Sequence, residues 1–290
     1  MAPPEIDIVV AERFGVGESP VWDAEGERLL WCDIPAGVIH ALHIPSGART
    51  RWAFGEAVAS FGLADGNRLV VALCRNIVLF DSLAGTRRIV ASIDHAKPGM
   101  RLNDGKVGPD GAFWVGSMDT SGEGKPSARL YRIAPDGAVR TIADNIAISN
   151  GLAWNAAGTR LYHSDSRGDI WLDTWDFSPA TGEAHNRRRL RQHDEANGRF
   201  DGGACDMAGA YWSAAPSASR INRFSAEGEL LDFVPVPLRN PTMACFGGPD
   251  LRTLYVTSLD SGDKSPGRDG IVSFRVTTPG VPVNRFGAIA

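Results

Sequence analysis

The chain has 290 residues, 43% hydrophobic and 22% charged, a balance that excludes a disordered polymer and allows a sizeable core. A formal net charge of −4 leaves no electrostatic footprint for nucleic acid, and no stretch approaches the roughly 18 apolar residues of a membrane helix. The 33 glycines, 18 prolines and 8 tryptophans describe a chain that turns often and carries large aromatics, favouring many short strands over long helices.

The opening segment, MAPPEIDIVVAERF, lacks the basic and apolar regions of a secretory leader, so a cytoplasmic protein is expected. A strand around Ile6 to Arg13 precedes the first full repeat and is expected to complete a sheet with the C-terminal strands. Cys32, Cys74, Cys205 and Cys245 are widely separated, form no C-x-x-C pair and sit in apolar runs. They read as buried, reduced thiols.

From residue 19 onward a phrase recurs: an apolar strand, a short polar turn, then a strand rich in Trp, Tyr, Leu and Val. Its six copies are SPVWDAEGERLLWCDI, FGLADGNRLVVALC, GKVGPDGAFWVGSM, GLAWNAAGTRLYHSD, GACDMAGAYWSAA and CFGGPDLRTLYVTS. The turns fall near Gly26, Gly66, Gly111, Gly158, Gly209 and Asp250, about 40 to 50 residues apart. Each copy continues into further strands, as in VIHALHIPSGART and RLYRIAPDGAVRTI, giving about four strands per unit. A four-stranded unit with two apolar faces cannot bury both alone, whereas a ring of six can. The expected fold is therefore all-β: a six-bladed β-propeller of four-stranded blades, closed by the N- and C-terminal strands, with residues 1–290 in one domain. A β-sandwich would lack the long period. Segment 185–200, with Arg187, Arg188, Arg189 and Arg191 beside His185 and His193, reads as a solvated loop or a single helical turn.

In a propeller, equivalent positions near the axis converge at one end of the central channel. Just before the first strand of several units stands an acid or amide: Glu18 in VGESPVW, Asn103 and Asp104 in RLNDGKV, Asn150 in ISNGLAW and Asp201 in RFDGGACD. Taken singly, each fits a turn cap. As a set, oxygen side chains delivered from separate blades suit one hard divalent cation, with positions left for water and substrate. Arg101 offers fixed donors to a polar substrate, or is an ordinary surface arginine. The six histidines show no ligand spacing, and His163 reads as a strand residue with Asp165 beside it able to line the channel. No G-x-S-x-G elbow, Walker loop or dinucleotide fingerprint is present.

At GESPVW, RLNDGKVGPDGAFWVGSM, ISNGLAWN, LYHSDS, FDGGACDMAGAYW and CFGGPDLRTLYVTS the chain resembles the SMP-30/gluconolactonase family, over essentially its whole length. The resemblance implies one catalytic divalent cation (Ca, Zn, Mn, Mg or Fe) on Glu18, Asn150 and Asp201. It also implies substrate contacts from Arg101 and Asn103, and a sugar aldonolactone as substrate. The donor set alone does not select the metal. The loop DTSGEGKPSARLYR departs from the animal members, and Asp119 and Glu123 there are candidates for substrate contact. The expected partner is a small-molecule sugar lactone, with no nucleic acid and no membrane, and a monomer is expected.

The chemistry implied is water attack on the lactone carbonyl polarised by the cation. Asp201 acts as general base, or hydroxide held by the cation is the competing nucleophile. Two other functions fit the same features: a phosphotriesterase on this scaffold, and a non-catalytic calcium-binding or ligand-sensing propeller.

Overall fold

The apolar phrases become antiparallel strands, and the computed structural model, which describes residues 4–123, 125–265 and 267–288, gathers them into six four-stranded sheets. After β1 (Ile6–Val10), the first blade runs β2 (Gly17–Asp23), β3 (Arg28–Asp33), β4 (Val38–His43) and β5 (Arg49–Ala53). The second is β6 (Ser60–Leu63), β7 (Arg68–Ala72), β8 (Asn76–Asp81) and β9 (Arg87–Ser92). The third is β10 (Met100–Val107), β11 (Phe113–Asp119), β12 (Ala128–Ile133) and β13 (Val139–Ile146). The fourth is β14 (Ser149–Trp154), β15 (Arg160–Asp165), β16 (Trp171–Ser178) and β17 (Glu183–Gln192). The fifth is β18 (Gly203–Cys205), β19 (Tyr211–Ala215), β20 (Arg220–Phe224) and β21 (Leu230–Pro235). The sixth is β22 (Pro241–Gly247), β23 (Thr253–Ser258) and β24 (Ile271–Arg275), completed on its outer side by β1.

The result is a six-bladed β-propeller, and its closure is the one the sequence predicts: Ile6 stands opposite Phe274 and Val10 opposite Ile271 in an antiparallel pair. All six turns marked by Gly26, Gly66, Gly111, Gly158, Gly209 and Asp250 lie between the first and second strands of a blade. Inner strands β2, β6, β10, β14, β18 and β22 neighbour one another around the axis.

Blade faces are buried against each other by six apolar clusters, one per interface. Phe61 and Val71 of the second blade meet Leu30 and Phe54 of the first, while Trp114 meets Trp154 and Phe177 between the third and fourth. Tyr162 stacks on Tyr211 between the fourth and fifth, and Trp22 on Tyr255 across the closure. Each such aromatic removes on the order of 150–250 Å² from water, so the ring holds itself by burial at every joint.

Two expectations need correction. Residues 185–192 form no loop or helical turn; they belong to the outer strand β17, whose arginines are partnered. Arg187 and Arg189 both reach the buried Asp173 and stack over Trp171, and Arg191 lies over Phe224. The thiols are all free, as expected, but Cys74 is only half-buried, unlike the other three. Among the described residues no helix is long and apolar enough to cross a membrane, and one short 3-10 turn, Pro216–Ala218, interrupts the strands.

The chain beyond β24 does not leave the ring. Val281 N–H donates to Cys205 O (3.0 Å), Asn284 Nδ2 to Val107 O (3.2 Å) and Phe286 N–H to Leu63 O (2.7 Å). This tail therefore crosses the ends of the inner strands from the fifth blade to the second, with Phe286 buried between blades.

Candidate functional site

Four inner strands share one irregularity: β22 slips between Pro241 and Met243, and the other three hold candidate site residues. Register slips between Glu18 and Val21 in β2, between Leu102 and Gly105 in β10, and between Asn150 and Ala153 in β14. Each slip inserts one extra residue, which re-aims the side chains around it. The residue after Glu18 is Ser19 at φ 49°, and the residue after Asn150 is Gly151 at φ 72°. The left-handed kink turns the Ser19 N–H back onto Glu18 Oε2 at 2.8 Å. Glycine is required at 151 on a second count: a Cβ there would stand 2.4 Å from Ser164 Oγ and 2.6 Å from Tyr211 Oη.

Glu18, Asn103, Asp104 and Asn150 accordingly lie inside the first strands of their blades, at bulges, and only Asp201 precedes its strand, which corrects the expected placement. A hydrogen-bond chain ties these blades together. Arg101 Nη1 donates to Leu102 O and to Asn103 Oδ1, both at 2.8 Å. Asn103 Nδ2 donates to Asn150 Oδ1 (2.8 Å) and to Ser149 O (3.0 Å). Asn150 Nδ2 donates to Ser166 Oγ (2.6 Å), which donates to Phe200 O (2.5 Å), the residue before Asp201. Asn150 Oδ1 is thereby held with one lone pair still free, and Arg101 keeps Nε and Nη2 unengaged among the described residues.

Electrostatics complete the grouping. Burial, then the charges of Asp201 and Asp104, hold the Glu18 carboxyl well above the ordinary carboxylate range, with the Ser19 N–H and Arg101 opposing. Asp201 is raised too, chiefly by burial and by Asp104, against the pull of Arg199. Asp104 accepts from Leu152 N–H at 3.2 Å through Oδ2, while its Oδ1 is buried with no partner among the described residues. Acids this desolvated that repel one another fit a divalent cation, which would relieve the repulsion that raises them. Among the described residues no three of His, Cys, Asp and Glu gather tightly enough to hold a metal, so any set here includes oxygens of another kind, for which the Asn150 amide is placed.

The remaining candidates have other work. Asp165 accepts from the N–H groups of Ala147 (2.7 Å) and Ile148 (2.9 Å), fixing the link into β14. Asp119 is paired with Lys97 at 2.5 Å and bonded by Ser121, which pulls its carboxyl down to about 2, and Glu123 pairs with Lys125 at 2.8 Å. Sequence reasoning passed over Ser60, Thr242 and Ser166. Ser60 Oγ donates to Asn103 O (2.7 Å) and Thr242 Oγ1 to Gly17 O (2.5 Å), so the second and sixth blades brace the backbone beside the site. For Ser60 and Thr242 the available signal was their place at the start of an inner strand; Ser166, which follows β15, carried none.

Comparison with known proteins gives the family. The family model described as SMP-30/Gluconolactonase/LRE-like region matches residues 16–260. A 6-deoxy-6-sulfogluconolactonase of Pseudomonas putida is 35% identical over 251 residues, covering 86% of this chain and 85% of its own. Regucalcin of Xenopus laevis is 33% identical over 266 residues, covering 89% and 88%. Among solved structures, a calcium-binding regucalcin from Agrobacterium tumefaciens superimposes with a TM-score of 0.92 at 24% identity, covering 99% of this chain and 98% of the other. The family match across most of the chain, with relatives above 30% identity over nearly their full length, settles the assignment: this propeller belongs to the SMP-30/gluconolactonase/LRE-like family.

Proposed function

We propose that this chain is a metal-dependent lactonase that opens a sugar aldonolactone to its aldonic acid. The observation that carries this reading is the charge coupling of the buried Glu18 and Asp201 carboxyls, beside a hydrogen-bond chain that runs from Arg101 through Asn103 and Asn150 to the backbone next to Asp201. The Pseudomonas putida relative, a sulfogluconolactonase by name, supports the substrate class, and a calcium-binding relative supports a divalent cation.

Glu18, Asn150 and Asp201 would hold the cation through oxygen atoms, a donor set that suits hard or borderline metals. When bound, a divalent cation supplies Lewis-acid polarisation of the ester carbonyl and charge stabilisation of the developing oxyanion. Arg101 presents Nε and Nη2 to substrate oxygens while its Nη1 is locked on Asn103, so it fixes the sugar ring without bending. Asp201 accepts the proton of the attacking water on its carboxylate as the water oxygen bonds to the carbonyl carbon. The same proton passes to the ring oxygen as the ring C–O bond breaks, giving the hydroxy acid. A carboxylate raised by burial is a stronger base than one in water, and contact with a cation moderates that gain.

The test is a pH-drop assay of a panel of aldonolactones with metal-stripped and metal-reloaded protein. Turnover should vanish on stripping and return on reloading, and the E18Q/D201N double variant should stay inactive with an unchanged far-UV circular dichroism spectrum. Full activity in the stripped double variant would refute the assignment. Hydrolysis of organophosphate triesters faster than of any lactone would instead favour a phosphotriesterase.

A further inference from the structure

A cavity lies in the propeller channel, on the far side of the bulges from the side chains of Glu18 and Asn103. Its volume is about 370 Å³, and all six inner strands contribute to its wall, through Val21, Phe61, Lys106, Trp154, Cys205 and Phe246 among others. Tail residues 281–284 also line it. None of Glu18, Arg101, Asn103, Asn150 and Asp201 belongs to that wall. The inner strands reach it with the halves that follow their bulges, whereas the site described above uses the halves that precede them.

Its chemistry is uneven in an informative way. The wall is mostly apolar, and among the described residues Lys106 is its one charged side chain. Lys106 leaves β10 in the third blade and donates to Gly203 O on β18 in the fifth, so it passes the fourth blade and spans the channel. An ammonium has three N–H donors. The Lys106 charge acts on the buried Asp104 carboxyl and draws it down against burial, but no carboxylate lies within ion-pair distance of Lys106 among the described residues, and Gly203 O is its one hydrogen-bond acceptor there. A half-buried cation with donors to spare, set at the boundary of an apolar chamber, is complementary to an anion carrying an apolar body.

We propose that this chamber is a binding site for a small amphiphilic monocarboxylate, its carboxylate on Lys106 and its hydrocarbon part among Val21, Phe61, Trp154 and Phe246. The cavity volume falls at the lower end of the range typical of small-molecule pockets, which limits the occupant to a short chain or a single aromatic ring. The tail segment 281–284 forms part of the wall, so the occupant is enclosed by the same residues that stitch the fifth blade to the third.

The test is titration calorimetry of the metal-loaded protein with sodium octanoate, beside octan-1-ol as the uncharged counterpart. One octanoate should bind per chain, at least about tenfold tighter than octanol, the difference expected for a hydrogen bond to a charged group. Lys106→Met should bring octanoate to the octanol affinity, Lys106→Arg should keep most of the preference, and the E18Q/D201N variant should bind as the parent does. Absence of binding, or equal affinity for acid and alcohol, overturns the proposal. So does loss of octanoate binding in E18Q/D201N with retention in Lys106→Met, which would put the carboxylate at the cation mouth. The readout is binding alone, so a failure here leaves lactone turnover to be judged by its own assay.

Discussion

Asp201 is asked to hold a cation and to take a proton, and the two duties separate in Asp201→Asn. The amide keeps an oxygen for the metal but loses the base, so kcat at saturating metal should fall about 100-fold or more, and a value within about threefold of the parent would place the base elsewhere. Arg101→Met removes donors that hold the substrate in ground and transition states alike, so KM should rise with a smaller change in kcat. Buried His163 gives a stability prediction away from the chemistry. Its Nε2 meets Ser149 Oγ at 2.8 Å, and burial, helped by Arg187, lowers its pKa from 6.5 to about 3. The folded state thus keeps the ring neutral while the unfolded chain takes up a proton below pH 6.5, so its stabilising share is present above that pH and is lost towards pH 3. Between pH 7 and 5 the parent should lose about 2 kcal/mol more than His163→Gln in urea unfolding, and parallel curves would contradict this. At this scale Glu18, Asn150 and Asp201 stood out in the sequence because each is an acid or amide at or just before the first strand of its blade. Ser60, Thr242 and Ser166 did not, because hydroxyls are common throughout strands and only the fold shows which carbonyls they reach.

Among the elements, the bulged inner strand is the device that turns a structural repeat into a site. Gly151→Ala demands both a left-handed φ for a residue with a Cβ and space that Ser164 and Tyr211 occupy. The φ alone costs on the order of 1–3 kcal/mol. Unfolding should therefore show at least about 2 kcal/mol of destabilisation, with lactone turnover falling as Asn150 is displaced, and an unchanged melting curve with full activity would contradict the account. The kinks themselves could not be read from sequence: Ser19 adopts positive φ without being glycine, and a one-residue slip leaves no mark on composition. Strand β17 was hidden for another reason. It lies on the outer edge with most of its side chains exposed, so it carries no apolar alternation, and its arginines are held by Asp173 and Trp171 from the neighbouring strand β16.

For the molecule as a whole, the ring was legible because six blades repeat the same strand–turn–strand phrase and each blade needs two neighbours to bury its faces. The C-terminal tail was not legible, since an irregular segment bonded through backbone groups has no periodic signature, yet it ties the fifth, third and second blades together. Blade number and site are linked: the ring brings the charges of Glu18 and Asp201 within reach of each other and ties Asn150 by hydrogen bonds through Ser166 to Phe200. The most direct measurement is an anomalous difference map from a crystal of this protein soaked in manganese. One strong peak bounded by oxygen atoms of Glu18, Asn150 and Asp201 is predicted. A protein that hydrolyses aldonolactones while its manganese binds away from these three residues would contradict the account.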